Sequence, residues 1–267
     1  GSTVEHSSGL PHLVGDPEQA PTMQHVAFGD AVGGLNGTAA ILTALWHKQR
    51  SGEGQFVDLS QVECLFPLAA PGILHQSVYG QSPRRSGNKH PDHAPHGVYP
   101  CEGDDAWVVI QVTDEIQWQR LQDLIPALAP FGDVDERLDK REALDACVRA
   151  WTQQRPAAAV MQLLQGVGVT AAKLNNAQAI LDEPHLQDRG YLQWLEREYV
   201  GVQPHPSPPF RVTADPIPIT SPAPTLGQHN HDILGELLGL GAAELEELEQ
   251  QGVIGTKPRM PSAKKAI

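Results

Sequence analysis

The sequence predicts an α/β fold, and three observations carry that prediction. Residues 30–79 read as helix, strand, helix. Residues 97–173 interleave a hairpin, three helical stretches and a further short strand. Hydrophobic residues make up 40% of the 267 and charged residues 19%, a globular composition with enough chain for one or two domains.

The elements follow in order. Residues 7–21 are rich in Gly, Pro and His and read as a loop. Leu35, Ala39, Leu42, Leu45 and Trp46 then recur at helical spacing. Asp30 stands where an N-cap belongs, and Ser51-Gly52 stands where the helix should stop. Gln55-Phe56-Val57-Asp58-Leu59 is a short β-like run. Ser60, with Glu63 three residues on, makes a capping-box pattern. The helix it opens runs toward Tyr79, bent or broken at Pro67 and Pro71. Residues 80–97 form a polar loop. A hairpin follows around Glu102-Gly103-Asp104-Asp105. Helices are expected at 114–125, 139–154 and 156–165, a strand at 168–173, and a helix from Asn176 through Leu181. Residues 204–224 read as an extended, Pro-rich linker. The last helix is expected at 232–250, with a solvated acidic face over an inner face of Leu237, Leu238, Leu245 and Leu248. Residues 255–267 read as a flexible tail.

Composition excludes several roles. The net charge of −13 argues against a protein built to grip nucleic acid or an anionic membrane. No apolar run approaches the ~18 residues of a membrane span. Cys64, Cys101 and Cys147 are far apart and lack CxxC spacing, which argues against a disulfide framework or structural zinc. A reducing, cytoplasmic setting follows. No signal peptide is visible at the start, which also lacks an initiating Met and reads as a point inside a larger protein.

Asp30 is the most interesting carboxylate. Gly29, Gly33 and Gly34 flank it, and small residues let a ligand come close. A helix N-terminus beside it offers N–H groups for an oxyanion or phosphate. From spacing alone, a plain N-cap is the stronger explanation. His90, His93 and His96, with Asp92 among them, have spacing that suits zinc or iron. Pro91 and Pro95 break any helical face there, so a polar loop near a ligand is favoured and no metal is assigned. His229 and His231 read as local hydrogen-bonding residues. Arg84, Arg85 and Lys89 read as a solvated basic loop or a contact for an anion. No GxSxG, HExxH, P-loop or GxGxxG pattern occurs.

Six segments in order are similar to the class III CoA-transferase family, also called CaiB/BaiF. They are Ser8-Gly9-Leu10 with Gly15-Asp16-Pro17; Gly29-Asp30 with Gly34 and Ile41-Leu42-Thr43-Ala44-Leu45; and Ser51-Gly52-Glu53-Gly54-Gln55-Phe56-Val57-Asp58-Leu59-Ser60. Gly87-Asn88-Lys89-His90-Pro91 with Ala94-Pro95, Asp182-Glu183-Pro184-His185-Leu186 with Arg189-Gly190, and Leu226-Gly227-Gln228-His229-Asn230 with Leu237-Leu238-Gly239-Leu240 complete the set. The resemblance implies that Asp30 is the nucleophile of a CoA-transferase. It would attack an acyl-CoA and pass through anhydride and aspartyl-CoA thioester intermediates to a carboxylic acid acceptor. Gly29, Gly33, Gly34, Asn88, Lys89, His90 and Pro91 would contact the CoA thioester, which is substrate and not a permanently bound cofactor.

The family also implies an interlocked homodimer with a Rossmann-like large domain and a smaller α+β domain. Residues 1–87 would be part of the large domain, 88–190 the small one, and 191–254 the return to the large one. Members carry a long stretch ahead of the segment matching Ser7, with most of the CoA contacts. A chain bearing that stretch is therefore a possible partner, beside acyl-CoA and a small carboxylic acid. An α-methylacyl-CoA racemase is the alternative within the superfamily, with the aspartate as acid/base partner of a histidine. A non-catalytic subunit and a metal-dependent hydrolase are alternatives outside it.

Overall fold

The computed structural model describes residues 1–23, 27–213 and 215–258. The chain divides into two compact units, Gly1–Leu174 and Asn175–Ile267.

The first unit opens with α1 (Ser2–Ser7) and a 3-10 turn at Leu10–His12, inside what reads in sequence as loop. Helix α2 spans Phe28–Ser51 and stops at Gly52, whose φ of 81° ends the helix as its spacing foretells. Its start differs from the expectation. Ala27 is the N-cap with φ 54°, and Asp30 is the third helical residue, not the cap. Ala27 makes the left-handed turn, and its carbonyl accepts the first helical bond from Ala31 N–H at 3.1 Å. Asp30 still lies in the first turn, where a negative charge complements the helix dipole.

The run at 55–59 belongs to no sheet, and Phe56 is 92% exposed. A strand needs a neighbour, and no described residues pair with it. Helix α3 is Phe66–Tyr79, after a 3-10 turn at Glu63–Leu65. Ser60 Oγ accepts from Glu63 N–H at 3.5 Å, so the expected cap opens the 3-10 turn rather than the α-helix. Pro67 falls in the first turn, where its missing N–H is harmless, and Pro71 is carried inside the helix.

Strands β1 (His96–Pro100) and β2 (Trp107–Gln111) form the expected hairpin, with Val98 opposite Val109. Helices α4 (Glu115–Leu124), α5 (Val134–Asp139), α6 (Arg141–Thr152) and α7 (Ala157–Gly166) precede β3 (Thr170–Lys173), which pairs antiparallel with β2. Asp114 caps α4 by accepting from Gln117 N–H, and Asp133 caps α5 by accepting from Glu136 N–H. The core lies between sheet and helices. Val108 and Ile110 point inward from β2, and with Val112 just past its end they meet Leu121, Leu144, Val148, Val160 and Leu164. Each such side chain contributes roughly 1.5–3 kcal/mol by leaving water.

In the second unit, Asn176 caps α8 (Ala177–Leu181), and α9 (Pro184–Asp188) follows. The expected linker instead contributes to two antiparallel hairpins: β4 (Leu192–Arg197) with β5 (Gly201–Pro206), and β6 (Arg211–Val212) with β7 (Asp215–Pro216). Two-stranded ribbons are all edge, so Pro204 and Pro206 are tolerated on β5. The expected helix at 232–250 is two elements, a π-helical turn at His231–Leu237 and α10 (Ala242–Gln250). Gly239, at φ 79°, separates them. Of the expected tail, residues 259–267 lie outside the described residues.

Candidate active site

Asp30 projects from the first turn of α2 with its carboxylate 53% exposed and Oδ1 2.9 Å from the Gly1 amino nitrogen. The N-cap, Ala27, has no side chain that could cap the helix. The three nearby glycines have unlike surroundings. A Cβ on Gly29 would stand 2.9 Å from Val4 Cγ1 and 3.2 Å from the Gly1 carbonyl oxygen, so Gly29 is where α1 crosses α2. A Cβ on Gly33 would stand 2.9 Å from Gln61 Cγ. Gly34 meets nothing within 4 Å. It lies one turn beyond Asp30 on the same helix face. Gly37, also on that side, is equally open.

The loop at residues 88–96 borders a cleft of about 950 Å³. The segments around Asp16 and Arg85, the loop residues Asn88 and Lys89, strand β1, and Asp145 and Arg149 of α6 line it. Asp30 is not part of this lining. Lys89 and Pro91 also border a shallower cleft against the start of α6. The Arg85 side chain is used on the main chain, donating to the carbonyls of Asp16 and Gln19. Arg84 does not line the cleft.

The three histidine rings do gather. His90 stacks on His93 with centroids 4.4 Å apart, and His96 lies 5.4 Å from His90. His90 Nδ1 accepts from Asp92 N–H, and His96 Nδ1–H donates to the Asn88 carbonyl at 2.7 Å. Among the described residues, the His/Asp/Glu group compact enough to hold a metal ion is elsewhere, at His231, Asp232 and Glu236, all exposed. His229 pairs locally with Asp232 at 3.1 Å.

Two arginines hold this loop. Arg137, 2% exposed, donates from Nε to the Ala94 carbonyl at 3.0 Å and pairs through both Nη atoms with Glu115. Its guanidinium lies 4.5 Å over the Trp118 ring. Arg141 Nη2 donates to the His90 carbonyl at 2.6 Å. On the cleft floor, the Tyr99 hydroxyl donates to Asp145 Oδ1 at 2.7 Å. Burial pushes the Asp145 carboxyl above its usual range, against the Tyr99 hydrogen bond and the charges of Arg141, Lys89 and Arg149. Burial and the Asp145 charge push the Tyr99 phenol up as well.

The model of CoA-transferase family III matches residues 1–230. The chain belongs to CoA-transferase family III. It is 30% identical over 259 residues to succinyl-CoA–D-citramalate CoA-transferase of Chloroflexus aurantiacus, covering 95% of this chain and 64% of that protein. It is 28% identical over 253 residues to the alpha subunit of succinyl-CoA–L-malate CoA-transferase from the same species, covering 92% of this chain and 59% of that one. A crystal structure of a CaiB/BaiF family protein from Brucella suis superposes with a TM-score of 0.76 at 27% identity, over 88% of this chain and 61% of the other. These likenesses bear out the expected family and its α/β fold class. The chain spans about six tenths of the length of these relatives.

Within this family III chain, the structure brings two of the expected contact residues, Asn88 and Lys89, to the cleft, and sequence reasoning did not single out Tyr99, Arg137, Arg141 and Asp145. Their partners lie 22 to 51 residues away, so no local spacing announces them.

Proposed function

We propose that the complete protein is a CoA-transferase and that Asp30 is its nucleophile. The observation that carries this reading is the half-exposed Asp30 carboxylate in the first turn of α2, above the open helix face at Gly34. In the proposed cycle, a carboxylate oxygen attacks the acyl-CoA carbonyl and expels the CoA thiolate, leaving a mixed anhydride. The thiolate attacks the aspartyl carbonyl, releases the donor acid and leaves an aspartyl-CoA thioester. The acceptor carboxylate displaces the thiolate to make a second anhydride. The thiolate then attacks the acceptor carbonyl and frees Asp30. Every step exchanges one anion for another, so no proton has to move and no general base is needed beside Asp30. First-turn N–H groups suit the oxyanion of each tetrahedral intermediate.

Asn88, Lys89, His90 and Pro91, with Gly29, Gly33 and Gly34, are the proposed contacts for the thioester. The open cleft supports this for Asn88 and Lys89, and the crowding at Gly29 and Gly33 leaves Gly34 the better candidate on α2. The relatives' names support succinyl-CoA as donor and a small dicarboxylic acid as acceptor. The proposed domain plan keeps residues 1–87 in a large domain, 88–190 in a small one and 191–254 in the return. A homodimer, or a partner chain as the name of the alpha subunit suggests, would complete the site. A cytoplasmic setting accords with three free cysteines, and no helix among the described residues is long and apolar enough to cross a membrane.

The test is to add succinyl-CoA, quench with hydroxylamine or borohydride, and map the adduct by mass spectrometry. A hydroxamate or reduced residue at Asp30, absent from Asp30→Ala, is expected. Full transfer by Asp30→Ala would sink the assignment. Exchange of solvent deuterium at the acyl α-carbon without an adduct would favour racemisation.

A further inference from the structure

We propose that Arg141 is a positioning residue that sets the His90–Pro91 peptide, and with it the path of the loop just after Lys89, at the mouth of the cleft. The role in transfer rests on the reading of that loop as a substrate contact; the bracing itself does not.

The two arginines at the loop divide the work. Arg137 is sealed in the core, between Glu115, Trp118 and the carbonyls of Ala94 and Gly132. It fixes the end of the loop to the fold. Arg141 is only half-buried, at the first residue of α6. Its side-chain hydrogen bonds among the described residues go to the loop alone: to the His90 carbonyl at 2.6 Å and the His93 carbonyl at 3.4 Å. The His96 imidazole closes the other side by donating to the Asn88 carbonyl.

Three side chains thus hold the main chain from 88 to 94, and they do so through four carbonyl oxygens. The side chains of Asn88 and Lys89 are left unspent. Among the described residues neither makes a hydrogen bond or ion pair, and both line the cleft. Both Arg141 bonds leave one nitrogen, Nη2, whose two N–H groups are held in the guanidinium plane, whereas the shorter-reaching, freely rotating ammonium of lysine has no such fixed direction. Arg141 stands at the N-terminal end of the stripe that Leu144, Val148 and Thr152 bury, and it is itself only half-buried, so the buried side chains of α6 lie beyond it. Its loss should therefore free the loop without unfolding the helix.

The experiment compares Arg141→Gln, Arg141→Lys and Arg137→Gln in the chain as it stands. Trypsin can cut after Lys89 and, as an internal control in the same surface region, after Arg84. Mass spectrometry gives the ratio of the two cuts. Arg141→Gln should raise cleavage at Lys89–His90 by about tenfold or more relative to the control, with Arg141→Lys in between. Melting should stay within about 2 °C for Arg141→Gln and fall clearly for Arg137→Gln. In transfer from succinyl-CoA, kcat should drop about tenfold or more while KM for the donor moves less than about threefold, as when a bound group is held off line.

Unchanged cleavage at Lys89 overturns the brace. Raised cleavage with an unaltered kcat overturns the role in transfer. Melting of Arg141→Gln as low as that of Arg137→Gln, unrelieved by lysine, makes Arg141 structural and overturns the proposal. Absence of transfer from the unsubstituted chain, with cleavage responding as expected, overturns the role in transfer for this chain and upholds the brace.

Discussion

Gly34 can carry a methyl group where Gly29 cannot. Gly34→Ala meets no neighbour and replaces the poorest ordinary helix former, so it should stabilise the chain by up to about 1 kcal/mol in urea unfolding. If Gly34 faces substrate, the same change slows transfer, and a stable variant with normal turnover would remove Gly34 from the site. Gly29→Ala should destabilise instead, because its new Cβ presses on both Val4 and the Gly1 main chain. Asp145 offers a pH signature. Its carboxyl is raised above the usual 3.8 by burial, so the folded state holds the proton more tightly than the unfolded one. Stability is therefore lost as pH rises from 3.8 through the raised folded value. Asp145→Asn removes this loss, and its unfolding midpoint should gain on the parent as pH climbs through that window. A constant difference between the two proteins would contradict the assignment.

At the scale of elements, the Arg137 anchor gives the firmest stability prediction. Arg137→Gln leaves the Glu115 carboxylate and the Ala94 carbonyl without their partner and should cost about 2–3 kcal/mol, read from urea midpoints. A loss below about 0.5 kcal/mol, the range of ordinary surface changes, would show that the anchor is dispensable. This anchor was illegible in the sequence, since Arg137 and Ala94 meet across 43 residues. Helix ends were legible where one residue decides them. Gly52 ends α2 by its left-handed conformation, and Asn176 caps α8 with its side chain. Asp30 misled because a nearby Ala took the left-handed turn that its type rarely takes. The helix at 232–250 misled because leucine periodicity runs on through Gly239, which breaks it. The run at 55–59 misled because alternation describes a strand without supplying its neighbour. The candidate nucleophile was legible only through ordered family segments, since spacing alone favoured a cap.

On the scale of the whole molecule, α2 leaves Leu35 73%, Leu42 61% and Trp46 62% exposed. Side chains of this kind gain by being covered. The proposed assembly would cover them, so sedimentation should give a mass above the 28.9 kDa of one chain. Leu42→Glu combined with Trp46→Glu should bring it down to that of a single chain. A parent already monomeric at micromolar concentration would argue against self-association through α2.

The Arg141 brace has a consequence for how such a site can change over generations. Its grip falls on carbonyl oxygens, which every amino acid carries. The residues at 90 and 93 can therefore be exchanged without moving the strut that holds them. Drift in the chemistry of the loop is thus uncoupled from drift in its path. A lineage can try new acids against the same opening while the scaffold beneath stays as it was.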